Sequence, residues 1–284
     1  MSSTTTPNRR RCVLIAPGSD ERKILKALAS TADEVVLDLE DAVTAARKDE
    51  ARTSVCRLLG EHRPDRMVTV RVNGLGTPWG ADDLGAIGAL DNVGIVLPKV
   101  DTATDLVAAD RVLTELGSPA RLQALVETPQ GVSSIDEICA ATARLDSVVI
   151  GYADLGAALG RGGGFAPELW VHVQDRILIA ARTAGIQAID GPHLSIADHA
   201  AFRAAAQWTR DLGFDGKWVI HPEQVEATME IFTPTTEAVD RARRILDAMA
   251  EAATAGAGAA QLDGQMLDEA VAVAARRTLA QIGV

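Results

Sequence analysis

The stretch MVTVRVNGLGTPWGADDLGAIGALDNVGIVLPKV, residues 67–100, decides the fold. It opens with a β-branched run, Met67–Val72, and closes near another, Gly94–Leu97, with a helical pattern over Ala81–Ala89 between them. Strand, helix and strand in that order read as one unit of a parallel sheet, because parallel neighbours need a crossover. Outward from it the unit recurs. Runs at Cys12–Ala16, Glu34–Leu39, Leu122–Val126, Ser147–Ile150, Gln187–Ile189 and Lys217–Ile220 bring the strands to eight. Helical stretches at Ser19–Leu28, Ala45–Leu59, Ala103–Leu116, Ser134–Ala143, Pro167–Thr183 and Ala197–Leu212 separate them. Ser19 is a candidate N-cap, and Gly117, Gly185 and Gly213 stand where helices should end. Alternating units in this number close an α/β barrel of the (β/α)8 or TIM type.

In such a barrel every strand C-terminus faces one side, and active sites are built there. The strand ends carry Gly18, Asp38 with Glu40 and Asp41, Arg71 with Asn73, Lys99, Glu127, Asp154, Asp190 and His221. Acids, an arginine and a lysine therefore gather at one mouth.

At 284 residues and 47% hydrophobic the chain can bury a large core. Aromatics at 3% argue against stacking platforms for single strands, and a net charge of −11 argues against a nucleic-acid partner. The three cysteines, Cys12, Cys56 and Cys139, are odd in number and lack metal-ligand spacing, which suits a reduced cytoplasm. The apolar run after MSSTTTPNRRR is too short for a secretory signal, and no stretch nears the ~18 apolar residues of a membrane span. The expected organisation is a disordered 1–10, a barrel over 11–234, and a helical extension over 235–284 with AATAGAGAA, 252–260, as a flexible linker.

Glu127 and Asp154 stand past neighbouring strands. Two carboxylates with open positions are what Mg²⁺ needs; two solvated loop acids would read the same. In EVVLDLEDAV, 34–43, Asp38 and Glu40 share a face if the strand continues, and Asp41 is a possible helix cap. These three acids read as support for a metal or an arginine rather than as catalysts. Arg71 either neutralises them or binds a carboxylate or oxyanion with its planar fork. GRGGGFAP, 160–167, lacks the P-loop lysine and reads as a mobile loop. There is no G-x-S-x-G elbow, no G-x-G-x-x-G after the first strand, and no zinc spacing among the histidines.

The motifs PGS, VVLDLEDAV, VRVNGLGTPWG, VLPKV, ALVETPQGV, GYADL, AIDGPHL, GFDGKWVIHPEQV and LDGQM run in order from Arg11 to the C-terminus. Together they resemble the citrate lyase β-subunit-like family of CoA-ester lyases, in the HpcH/HpaI aldolase/citrate lyase superfamily. The resemblance implies a TIM barrel with a C-terminal helical lid, in homotrimers or hexamers. It implies a lyase that cleaves or forms the carbon–carbon bond of a 3-hydroxyacyl-CoA such as malyl-CoA or citramalyl-CoA. It implies Mg²⁺ on Glu127 and Asp154, substrate on Arg71, and Asp263 as an acid/base that reaches a neighbouring subunit. Arg22, Lys26, Pro98 and Lys99 are its candidates for binding CoA or substrate. The partners it implies are an acyl-CoA and a 2-oxo acid. For Asp263 the bland alternative is a helix N-cap or an Asp-Gly turn.

This sequence departs from the family pattern at Asp20 and Glu21, acids where a basic residue often meets CoA phosphate. Ala153 precedes Asp154 where an acid is common, and Gln265 replaces a common lysine. Three other activities stay open: a 2-oxo acid aldolase without CoA, a malyl-CoA-type thioesterase, and a β-subunit of an acyl-carrier-dependent citrate lyase. The first of these looks for a histidine base after the second strand, and residues 40–60 hold none.

Overall fold

A computed structural model describes residues 9–62, 66–161, 166–256 and 260–283. The chain divides into two compact units, one over Arg10–Met229 and one that takes in Glu230–Val284. The first is a closed barrel of eight parallel strands in sequence order. These are β1 (Cys12–Pro17), β2 (Glu34–Asp38), β3 (Met67–Arg71), β4 (Val93–Leu97), β5 (Leu122–Val126), β6 (Leu145–Ile150), β7 (Gln187–Asp190) and β8 (Gly216–Val219). β1 pairs with β2 on one side and β8 on the other, which closes the ring. The expected strands are all present, with ends within two residues of the expectation.

The helices are α1 (Glu21–Leu28), α2 (Lys48–Glu61), α3 (Gly80–Gly88), α4 (Ala103–Glu115), α5 (Pro129–Ser133), α6 (Ile135–Cys139), α7 (Tyr152–Ala158), α8 (Val171–Ala184), α9 (His199–Leu212) and α10 (Glu223–Phe232). Asp20, not Ser19, caps α1: its carboxylate accepts from Lys23 N–H. Asp41 caps no helix; Thr44 precedes the short turn of helix that leads into α2. Gly185 and Gly213 end α8 and α9 at φ 71° and 110°, the left-handed conformation that a side chain resists.

Side chains alternate along each strand, so residues two apart share a face. The inward positions stack in three layers. At the bottom, Glu34 accepts from Arg10 (2.6 Å), Thr69 (2.7 Å) and Gln123 (2.5 Å), and Arg10 also reaches Gln187 and Asp146. The middle layer is apolar: Val13, Val36, Val96, Leu125, Val149, Ile189 and Trp218. The top layer holds Asp38, Arg71 and Glu127, two residues beyond that plane or beyond Thr69 on their own strands. Arg10, expected in a disordered segment, is 3% exposed and plugs the bottom of the barrel. The rest of that expectation, 1–8, lies outside the described residues, as does 162–165 of the glycine-rich loop.

The second unit packs α11 (Thr236–Thr254) and α12 (Glu269–Ala280) around Val239, Ala242, Ile245, Leu267, Ala275 and Leu279. Its middle is an antiparallel hairpin, β9 (Ala260–Leu262) and β10 (Gln265–Leu267). The expectation of a purely helical tail with no strand to pair is therefore corrected. Three-residue strands are too short to show a period, and they pair with each other. The expected linker, 252–260, is helix through Thr254 and strand from Ala260, with 257–259 outside the described residues. Among the described residues no helix is long and apolar enough to cross a membrane.

Candidate active site

The mouth is built from the loop after β2 and the ends of β3 to β6. Asp38, the last residue of β2, accepts the backbone N–H groups of Glu40 (2.8 Å) and Ala42 (3.0 Å). Both its oxygens also take the Arg71 fork, from Nε at 2.7 Å and Nη2 at 2.6 Å. Bidentate pairing of this kind fixes the plane of the guanidinium. It leaves Nη1, which lies 3.0 Å from Glu40 Oε2 and 3.7 Å from Asp41 Oδ2. Glu40 Oε2 makes no directed hydrogen bond. Of the two roles open for Arg71, neutralising the acids accounts for Nε and Nη2, and Nη1 faces the mouth acids.

Glu127 follows β5 and is 4% exposed. Asp154 is the third residue of α7, which leaves β6 through Gly151. Both acids face the ammonium of Lys99, at 3.9 Å from Glu127 Oε1 and 3.0 Å from Asp154 Oδ2. The same ammonium is 2.5 Å from Glu40 Oε1 and 4.0 Å from Asp41 Oδ1. Lys99 thus sits among acids while its side chain stays partly exposed to solvent. Its own N–H donates to Glu127 Oε1 at 3.0 Å. Pro98, buried just before it, leads the chain into this turn.

Five carboxylates share two cations here. Burial, and then the charge of Glu40, pushes the Glu127 carboxyl up to about 7, against the pull of Lys99 and Arg71. Burial raises Glu40 as well. For Lys99 burial works against the charge, but hydrogen bonds to Glu40 and Asp154 win, and the ammonium is held above the ordinary lysine range. The mouth is therefore short of positive charge.

Its donors are all hard oxygens, the type a magnesium ion selects. Among the described residues no group of three or more His, Cys, Asp and Glu side chains is arranged to hold a metal. Magnesium keeps waters and substrate oxygens, so a pair of carboxylates fits it. Gly151 makes space for Glu127: a Cβ there would fall 2.4 Å from Glu127 Cβ and 2.5 Å from its Oε2.

Lys48 and Asp83 were not foreseen, and Asn73 was named only as a strand-end residue without a role. Lys48 Nζ donates to the carbonyls of Leu39 (2.8 Å) and Glu40 (2.7 Å). Asn73 Nδ2 donates to Leu39 O (3.0 Å) and Asp83 Oδ2 (2.6 Å). They pin the loop that carries Glu40 and Asp41. The Asn-Gly after β3 was the available sequence signal. On the outer side of the sheet, Asp190 accepts from Lys217 and from Tyr152 Oη (2.6 Å), which anchors the first residue of α7.

Arg22 and Lys26 lie exposed on α1, four residues apart on one face. The acids beside them are engaged elsewhere, Asp20 as the helix cap and Glu21 with Arg57 at 2.8 Å. Asp263 belongs to the second unit. It is the first residue of the two-residue turn between β9 and β10, at φ 51°, followed by Gly264 at φ 78°. That is the hairpin turn Asp-Gly favours, so the helix-cap alternative gives way; Asp268 caps α12 instead. Arg244 of α11 donates to Asp263 Oδ1 at 2.6 Å, and Arg241 to Gln265 Oε1 at 2.7 Å.

Comparison with known proteins identifies the family. An L-malyl-CoA/beta-methylmalyl-CoA lyase of Cereibacter sphaeroides is 35% identical, over 92% of this chain and 90% of that protein. A (3S)-malyl-CoA thioesterase of the same species is 38% identical, over 95% and 94%. The solved structure of CitE from Mycobacterium tuberculosis with magnesium, acetoacetate and coenzyme A superposes with a TM-score of 0.78 at 32% identity, over 97% of this chain and 99% of that one. The model of the HpcH/HpaI aldolase/citrate lyase family matches residues 11–222, and the chain belongs to that family.

Proposed function

We propose that this protein is a magnesium-dependent lyase that cleaves or forms the carbon–carbon bond of a 3-hydroxyacyl-CoA, of the malyl-CoA or citramalyl-CoA type. The observation that carries the reading is the convergence of Glu127 and Asp154, from adjacent strand ends, on one cation position. Relatives named for malyl-CoA and a structural neighbour described with magnesium and coenzyme A support it. Held by Glu127 and Asp154, the metal supplies Lewis-acid polarisation of the carbonyl of a 2-oxo acid such as glyoxylate or pyruvate.

The rest falls to side chains. Asp263 takes a proton from the thioester α-carbon in condensation and returns it in cleavage. Arg71 steadies, through Nη1, the oxygen that gains charge. Asp38 holds Arg71 in register, and Glu40 and Asp41 share Arg71 and Lys99. Arg22 and Lys26 meet the CoA phosphates, while Pro98 and Lys99 line the acyl end. The C-terminal unit, from about residue 235, acts as a lid over a neighbouring subunit in a homotrimer or hexamer. Closure keeps water and stray protons from the enolate. Three free cysteines suit the cytoplasm.

A second reading, hydrolysis of the same thioester, is favoured by relatives at 37% and 38% identity that are named thioesterases. One experiment tests both. With malyl-CoA and Mg²⁺, a lyase yields acetyl-CoA and glyoxylate, whereas a thioesterase yields malate and free CoA. Glu127→Gln and Asp154→Asn should each abolish turnover. Full activity of the wild type in excess chelator would overturn the metal assignment. Silence toward malyl-, citramalyl- and related thioesters would overturn the substrate class.

A further inference from the structure

Three non-glycine residues among those described have positive φ: Asn92, Asp263 and Lys99. The first two are turn formers, for which this conformation is ordinary. Lys99, at φ 50°, is not, and backbone of this kind persists where the surroundings hold it for a purpose. Its effect is to turn the N–H onto Glu127 while the side chain runs back across the mouth. The ammonium comes to rest 2.5 Å from Glu40 and 3.0 Å from Asp154, within 4 Å of Glu127. It therefore stands among the carboxylates assigned to the metal.

An ammonium and a divalent ion cannot both occupy that position, because their repulsion at such separations is large. Arg71 is fixed: it is 9% exposed and its fork is locked on Asp38. Lys99 is not: its side chain is 44% exposed, on a flexible stem whose departure empties no packed core. We propose that Lys99 is a tethered counter-ion of the metal site, and that the divalent ion binds by exchange, the ammonium leaving as the ion enters.

The proposal rests on Glu127 and Asp154 being the metal ligands. It has two consequences. The ammonium offsets part of the negative charge of the acids before loading, which lessens their mutual repulsion. The attraction of the lysine for the acids is subtracted from that of the metal, so the metal is held less tightly than bare carboxylates would hold it.

The test is Mg²⁺ titration of the full chain by calorimetry, with Mn²⁺ followed by electron paramagnetic resonance as a second probe. Lys99→Met removes the charge and keeps the length. Lys99→Asn removes the charge with a residue that accepts positive φ, so a folded variant is available if the first misfolds. Both should bind Mg²⁺ about tenfold more tightly than wild type or better. Unchanged or weaker binding in folded variants, while Glu127→Gln still abolishes binding, overturns the exchange. Saturable binding that survives Glu127→Gln at wild-type strength overturns the metal assignment itself, and the exchange with it.

Discussion

Glu127 and Gly151 share one side chain's worth of space. A Cβ on residue 151 would fall 2.4 Å from Glu127 Cβ and 2.5 Å from its Oε2, and the backbone at Gly151, φ −100° and ψ 92°, is one any residue adopts. The glycine is there for room, not for conformational freedom. Gly151→Ala should therefore leave the barrel folded, with a loss of about 1–3 kcal/mol from crowding. It should weaken Mg²⁺ binding about tenfold or more, since Glu127 must shift from its Cβ outward and carry the carboxylate with it. Calorimetry beside urea unfolding separates the two effects, and unaltered metal affinity would count against the placement of Glu127.

The bottom of the barrel predicts a stability effect with no catalytic one. Arg10 is the cation that faces the fully buried Glu34. Arg10→Met leaves that charge unpaired, and breaking a buried pair from one side costs about 3–5 kcal/mol. Adding Glu34→Gln should return a good part of the loss. Urea denaturation of the two single variants and the double variant measures the coupling. Additive losses would mean the pair contributes nothing as a pair.

The pH dependence has a definite sign. Burial and Glu40 raise native Glu127 from the ordinary 4.5 to about 7, so between those values the native state holds a proton that the unfolded chain has lost. Stability from this group is fully present below about pH 4.5 and declines as pH rises through about 7, by about 3 kcal/mol in all. Metal affinity moves the other way, because the ligand form is the carboxylate. In chelator, wild type should lose stability across that window more steeply than Glu127→Gln; in saturating Mg²⁺ the slope should shrink or reverse. Identical slopes for the two proteins would remove Glu127 as the source.

Asp263 is tested by mixing. If it completes the site of a neighbouring subunit, inactive Asp263→Ala and inactive Glu127→Ala chains, dissociated and reassembled together, should regain part of the activity. Some interfaces then pair an intact barrel with an intact hairpin. Mixed oligomers verified by mass spectrometry that stay inactive would place Asp263 over its own barrel or outside the chemistry.

What could be read in advance followed chain-local rules. The alternation Glu34–Val36–Asp38, and Gln123–Leu125–Glu127 likewise, puts polar, apolar and polar side chains on one inward face, so the mouth acids were visible from spacing. What escaped depends on partners distant in sequence or on very short elements. Lys48 looks like any helix-start lysine until its target carbonyls fold beside it. Gly151 looks like a turn glycine until Glu127 arrives from the neighbouring strand. Ser19 and Asp41 were the expected caps and Asp20 was not, because all three are plausible cap residues and only the geometry of α1 and of the loop after β2 decides among them. The β9–β10 hairpin hid because Asp-Gly also suits a helix start.

The plug at the bottom bears on the order in which the chain can assemble. Arg10 reaches Gln187, 177 positions away, and β1 finds its second neighbour only in β8. During synthesis β1 emerges first and its ring partner emerges last. Until then the apolar segment CVLIAP has one open edge, the kind that recruits stray strands. Closure waits for non-local pairing, which is slow. The hazard to a newly made copy of this protein is therefore concentrated in the interval between the release of its first strand and the release of its eighth, and a chaperone that shields β1 during that interval would raise the yield of closed barrels.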